Sequence, residues 1–104
     1  MARFDVYANP DAAEKKRIPY FLDIQSDHIQ GLQTRVVVPL WKVEFMNLQA
    51  QNLHPSFIVN GQQVVMDTPA LGATPTQFFS RAVANLGAQQ LIIQDAVDAL
   101  FGGY

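Results

Sequence analysis

The sequence predicts a mainly β protein of the α+β class, a small barrel of about five or six short strands with one α-helix at the carboxy terminus. Three features carry this. Tyr20, Leu22 and Ile24 alternate with Phe21, Asp23 and Gln25, the period of a half-buried strand. Asn60-Gly61 separates two apolar runs, and an Asn-Gly pair tolerates the positive φ angles of a two-residue hairpin turn. Over residues 88–101, by contrast, Ile92, Ile93, Ala96, Val97, Leu100 and Phe101 recur at helical spacing, with Gln90, Gln94, Asp95 and Asp98 on the other side.

The elements follow in order. A first strand is expected over residues 3–8, with Phe4 and Val6 on one face and Tyr7 on the other. Asn9-Pro10-Asp11 turns the chain, and the Glu14, Lys15, Lys16, Arg17 cluster reads as an exposed, mobile loop. The strand over 20–25 leads to a polar corner, residues 26–33, containing Gly31. A second long strand spans 34–38, and Pro39, which lacks an amide hydrogen, is expected to end it. A short helix is expected over 41–47, and the hairpin strands over 56–59 and 62–66. The proline- and glycine-rich stretch 68–75 reads as a connecting loop, with a short strand or turn near 76–79. Gly102-Gly103 stops the last helix.

Composition narrows the function classes. A chain of 104 residues suits one domain, residues 1–104, able to bury roughly 65% of its unfolded surface. It has no cysteine, which removes disulfides, thiolate metal sites and a cysteine nucleophile. No run reaches the length of a membrane span or a signal peptide, so a soluble cytoplasmic protein without membrane contact is expected. The net charge of -2 disfavours direct nucleic-acid binding, and six of the seven basic residues lie at or before Lys42.

Among the polar residues, Asp23 and Asp27 are four apart and invite an acid–base pair, but on a strand leading into a turn they read as caps of backbone amides. His28 and His54 with Asp67 have no metal-ligand spacing, so neither metal nor cofactor is expected. Trp41 reads as a core or dimer-interface residue. Arg35 reads as an ion-pair partner of Asp23 or Asp27, with phosphate contact as the alternative.

The central stretch also resembles a known family. In CcdB toxins of bacterial toxin–antitoxin modules, a strand ending in an FxDxQSD-like segment leads through a turn to a strand closing in Pro-Leu. Phe21, Asp23, Gln25, Ser26, Asp27, Ile29, Arg35, Val38, Pro39 and Leu40 match that pattern. Phe4, Val6, Tyr7, Leu53, Pro55, the hairpin residues 64–66, Pro75 and the closing helix extend the likeness over nearly the whole chain. The resemblance implies an SH3-like barrel, shared with MazF-type ribonuclease toxins and assembled as a homodimer. It implies a non-enzymatic toxin that binds the A subunit of DNA gyrase and traps the gyrase–DNA cleavage complex. A CcdA-like antitoxin would neutralise it, and DNA would be met only through antitoxin or gyrase, including in transcriptional autoregulation.

Carried over by position, the gyrase-binding surface comprises His28, Ile29, Asp98, Phe101, Gly102, Gly103 and Tyr104. The family pattern ends Phe-Trp-Gly-Ile, whereas this chain ends Phe101-Gly102-Gly103-Tyr104, so Gly102 stands where the family carries tryptophan. Loss of such an indole typically costs about 2 to 4 kcal/mol of binding. Two alternatives stay open: a MazF-like ribonuclease using Arg35 with the Ser26 or Thr34 hydroxyl, and a CcdB-like protein that binds antitoxin but poisons gyrase weakly or not at all.

Overall fold

A computed structural model describes residues 1–29, 31–46, 50 and 52–102. Among the described residues, seven strands form one antiparallel sheet that curls into a nearly closed barrel, with an α-helix near the carboxy terminus. The strands are β1 (Asp5–Ala8), β2 (Tyr20–Asp23), β3 (Thr34–Lys42), β4 (Ser56–Val59), β5 (Gln62–Met66), β6 (Gly72–Pro75) and β7 (Ala84–Asn85); the helix, α1, is Gln90–Leu100. Their order is β4-β5-β3-β2-β1-β7, with β6 on β3. The predicted fold class is the observed one.

Curling depends on β3. Along one edge it pairs with β2, from Tyr20↔Leu40 to Asp23↔Val37. On the other edge its first half pairs with β6 and its last residues with β5. Pro39 therefore does not end the strand, contrary to the sequence expectation. Its carbonyl accepts the Asp67 N–H at 3.0 Å, so the backbone polar edge of Pro39 faces away from β2. On that far side it falls where β3 passes from β6 to β5, and the missing amide hydrogen leaves no ladder position empty.

Other boundaries also shift. Phe4 has φ +71° and belongs to a turn closed by the Asp5 N–H to the Ala2 carbonyl, so β1 starts at Asp5 rather than Arg3. Residues 14–16 form a 3-10 turn, with Asp11 accepting the Ala13 and Glu14 N–H groups. The expected helix over 41–47 is replaced by the end of β3 and a 3-10 turn at Val43–Phe45, while Asn47 lies outside the described residues. The expected loop over 68–75 contains a 3-10 turn at Thr68–Ala70 and then β6, which sits at an edge of the ladder and so admits Pro75.

The Asn60-Gly61 hairpin is as expected: both residues have positive φ, 49° and 81°, and Val59 faces Gln62 across the turn. A 3-10 turn at Gly87–Gln89 leads into α1, and Asn85 Oδ1 accepts the Gly87 N–H at 2.7 Å. The helix ends where Phe101 donates to the Val97 carbonyl and Gly102 adopts φ +72°.

Alternate residues sort into two cores. Phe4, Val6, Leu22, Val38, Leu40, Phe57, Val59, Val64 and Met66 fill the barrel, with Leu86, Ile93 and Ala96 closing it. On the outer face Tyr7, Val37 and Phe79 pack with Phe21 and Ala82. The helix stripe is narrower than expected, since Ile93 and Ala96 are buried while Ile92 and Leu91 face solvent.

Candidate functional site

The corner after β2 is built by side chains that satisfy a turning backbone. Asp23 Oδ1 accepts the Gln25 N–H at 2.9 Å, Ser26 Oγ accepts the His28 N–H at 3.2 Å, and the Ser26 carbonyl accepts the Ile29 N–H at 3.1 Å. Asp27 Oδ1 accepts the Arg3 N–H at 2.7 Å, which ties the chain start to the corner. Asp23 and Asp27 are thus backbone caps, as the sequence suggested.

Beneath the corner, Arg35 and Asp23 form a buried fork, Nε to Oδ2 at 2.8 Å and Nη2 to Oδ1 at 3.0 Å. Asp23 is fully buried and Arg35 is 4% exposed. The ion-pair reading of Arg35 is the correct one. A guanidinium 4% exposed, with its donors turned to Asp23 and to the Gln25 and Ile29 carbonyls, offers little surface to a phosphodiester, which counts against the ribonuclease alternative.

His28 and Ile29 both face solvent, but on different sides of the corner. His28 shares a depression of about 320 Å³ with Arg3, Phe4, Ser26, Asp27 and Gln90. Ile29 lines one of about 140 Å³ with Met1, Gln25, Gly31, Leu32, Arg35 and Thr76. Arg3 lies over the Phe4 ring at 4.8 Å, and its Nε is buried without a hydrogen-bond partner. Sequence reading missed Arg3, Phe4 and Gln90 as neighbours of His28. The signal that places them is the left-handed backbone of Phe4, which no residue pattern announces.

At the far end of the chain, Asp98 is exposed and Phe101 is 69% exposed beyond the last helical turn. Gly102 is exposed as well, while Gly103 and Tyr104 lie outside the described residues. With about 1.5 Å of rise per residue, α1 carries Phe101 roughly 16 Å along its axis from Gln90. The depressions beside His28 and Ile29 are lined by no residue of the helix end. One chain brings His28 to the start of α1, while Asp98, Phe101 and Gly102 sit at its end.

Elsewhere, Tyr7 Oη donates to Asp5 Oδ2 at 3.2 Å. Burial, then the Asp5 charge and its hydrogen bond, then the Asp23 charge push the phenol up to about 12, against a smaller opposing effect of Arg35. His54 Nε2 lies 3.4 Å from Asp67 Oδ1, and Trp41 Nε1 donates to Asp67 Oδ2 at 3.1 Å, which makes Trp41 a half-buried structural residue. Among the described residues no group of three or more His, Cys, Asp or Glu side chains could hold a metal ion. No described helix is long and apolar enough to cross a membrane.

These features define a small antiparallel barrel whose candidate surface offers exposed apolar groups beside polar and charged ones, the chemistry of protein recognition. The family model described as CcdB protein matches residues 3–103, nearly the whole length, and the chain belongs to the CcdB family. Membership implies a CcdB-type toxin, and toxins of this family are gyrase poisons rather than enzymes. A comparison with curated proteins returns no match.

Proposed function

We propose that this chain is the toxin of a toxin–antitoxin module that acts in the cytoplasm, binds the A subunit of DNA gyrase, traps the cleavage complex and is neutralised by a CcdA-like antitoxin. The observation that carries the reading, beside the family match, is Phe101. Ile93 and Ala96 already close the barrel, yet Phe101 stands 69% exposed at the helix end, where folding gains little from an aromatic ring. Ile29, 48% exposed on the corner, is its counterpart.

A homodimer fits this geometry. The two halves of the surface lie about one helix length apart in a single chain, and a two-fold axis lets the corner of one protomer approach the helix end of its partner. Such a surface would suit a target that is itself two-fold. A disordered antitoxin segment that folds on contact can cover a surface of that breadth.

The test is gyrase poisoning by the purified protein. The full chain should accumulate linear DNA when incubated with gyrase, ATP and supercoiled plasmid. A chain ending at Leu100 should keep its thermal transition, because Phe101 and Gly102, the described residues it loses, are exposed, and should bind gyrase roughly 30- to 1000-fold more weakly. Equal DNA cleavage by both chains would refute the assignment of Phe101.

A second reading is favoured by Gly102. It is exposed, has φ +72° and presents no side chain where the family pattern has tryptophan. The chain then keeps antitoxin binding while poisoning gyrase weakly, and an antitoxin peptide that binds tightly beside a full chain that traps no cleavage complex is the outcome it requires.

A further inference from the structure

We propose that the buried Arg35–Asp23 pair is a positioning device that fixes the recognition corner, holding its backbone so that His28 and Ile29 are presented in one arrangement. The inference rests on the reading of that corner as a target surface. Its observation is where the remaining donors of Arg35 go. Two N–H groups make the fork to Asp23; beyond it, Nη2 reaches the Gln25 carbonyl at 3.3 Å and Nη1 the Ile29 carbonyl at 3.5 Å. One planar group thus binds the strand end and both ends of the turn.

Gln25 braces the same carbonyl from within the corner. Its Nε2 donates to the Ile29 carbonyl at 3.5 Å, and its Oε1 accepts the Val36 N–H at 3.0 Å. Asp27 Oδ1 lies 3.9 Å from Nη2, so the guanidinium has a further carboxylate at its rim. The effect is to hold Ile29, 48% exposed, outward against the tendency of apolar groups to fold under.

Stability alone does not require this arrangement. The strands β2 and β3 already pair from residue 20 to 23, and Val37 and Val38 are buried without help from the ion pair. A buried pair gains little or nothing over apolar side chains of similar volume, because desolvation offsets its attraction. What apolar side chains cannot supply is donors to the Gln25 and Ile29 carbonyls. Lysine cannot replace the fork either, since one ammonium does not span a carboxylate and two separate carbonyls.

The experiment compares the full-length protein with the double variant Asp23→Leu/Arg35→Met and with Arg35→Lys, measuring the urea midpoint, amide hydrogen exchange over residues 25–29, and binding to purified gyrase A subunit. The double variant should unfold at or above the wild-type midpoint, exchange about tenfold faster or more at the corner, and bind about tenfold more weakly or worse. Arg35→Lys should show the same two losses to a smaller degree, and it carries the comparison if the double variant does not fold. Unchanged exchange overturns the proposal, and so does faster exchange with unchanged binding. A wild-type chain that does not bind gyrase A refutes the functional reading instead, and the exchange data then decide on their own whether the pair fixes the corner.

Discussion

Alkaline pH should destabilise this protein through Tyr7, and the size of the effect follows from its surroundings. The residue is 3% exposed, its ring lies 5.2 Å from that of Phe79, and its hydroxyl donates to Asp5. In the native state the phenol is held neutral up to about 12, against 10.0 in the unfolded chain. A raised pKa means that the folded state keeps a proton that the unfolded state releases. Stability is therefore fully present below about pH 10 and is lost as pH climbs to about 12, by about 3 kcal/mol in all. Tyr7→Phe keeps the packing, removes a hydrogen bond worth about 1 kcal/mol and abolishes this limb. Urea unfolding at a series of pH values, wild type beside Tyr7→Phe, is the assay, because every other titrating group is common to both chains. The free-energy difference between them should shrink and then reverse over that window. Parallel curves would refute the reasoning.

Gly61→Ala tests the hairpin turn: a new Cβ meets nothing within 4 Å, so only the left-handed backbone at φ +81° resists it, and about 1 kcal/mol should be lost in urea titration with antitoxin binding intact. Gly102→Trp tests the tail. Its Cβ also meets nothing within 4 Å, but at φ +72° the change costs about 1 kcal/mol of local backbone energy, set against about 2 to 4 kcal/mol from an indole at an interface. Gyrase A binding measured by calorimetry should therefore tighten, and weaker binding would show that Gly102 is needed for its conformation.

Much of the fold was legible because the signals were local. Asn60-Gly61 sets its own turn, and the alternation from Tyr20 to Ile24 declares which face is inward, as the burial of Leu22 and the outer packing of Phe21 show. What was misread depends on partners distant in sequence. Pro39 breaks a strand only if its amide side is paired, and whether it is paired depends on β5 and β6. Residues 72–75 look like a loop by composition and become a strand because Thr34–Val37 offers them an edge. The short β7 is held by Val6 and Asp5 and has no pattern of its own.

The site divides in the same way. Arg35 could be read from sequence as the ion-pair partner of Asp23 or Asp27, because a charge on a strand must find a partner when buried; that the fork goes to Asp23 came from the structure. Arg3 could not be joined to His28, since their shared depression depends on a left-handed Phe4 and an Arg3–Asp27 hydrogen bond spanning 24 residues. The helix shows the cost of reading a stripe too widely. Ile92 follows the apolar spacing, yet α1 packs on the barrel through Ile93, Ala96 and the half-buried Val97, leaving Ile92 at 48% and Leu91 at 75% exposure. A helix that covers one end of a barrel buries a narrower arc than one enclosed in a bundle, so apolar spacing alone overstates the buried face and leaves residues 91, 92 and 101 exposed.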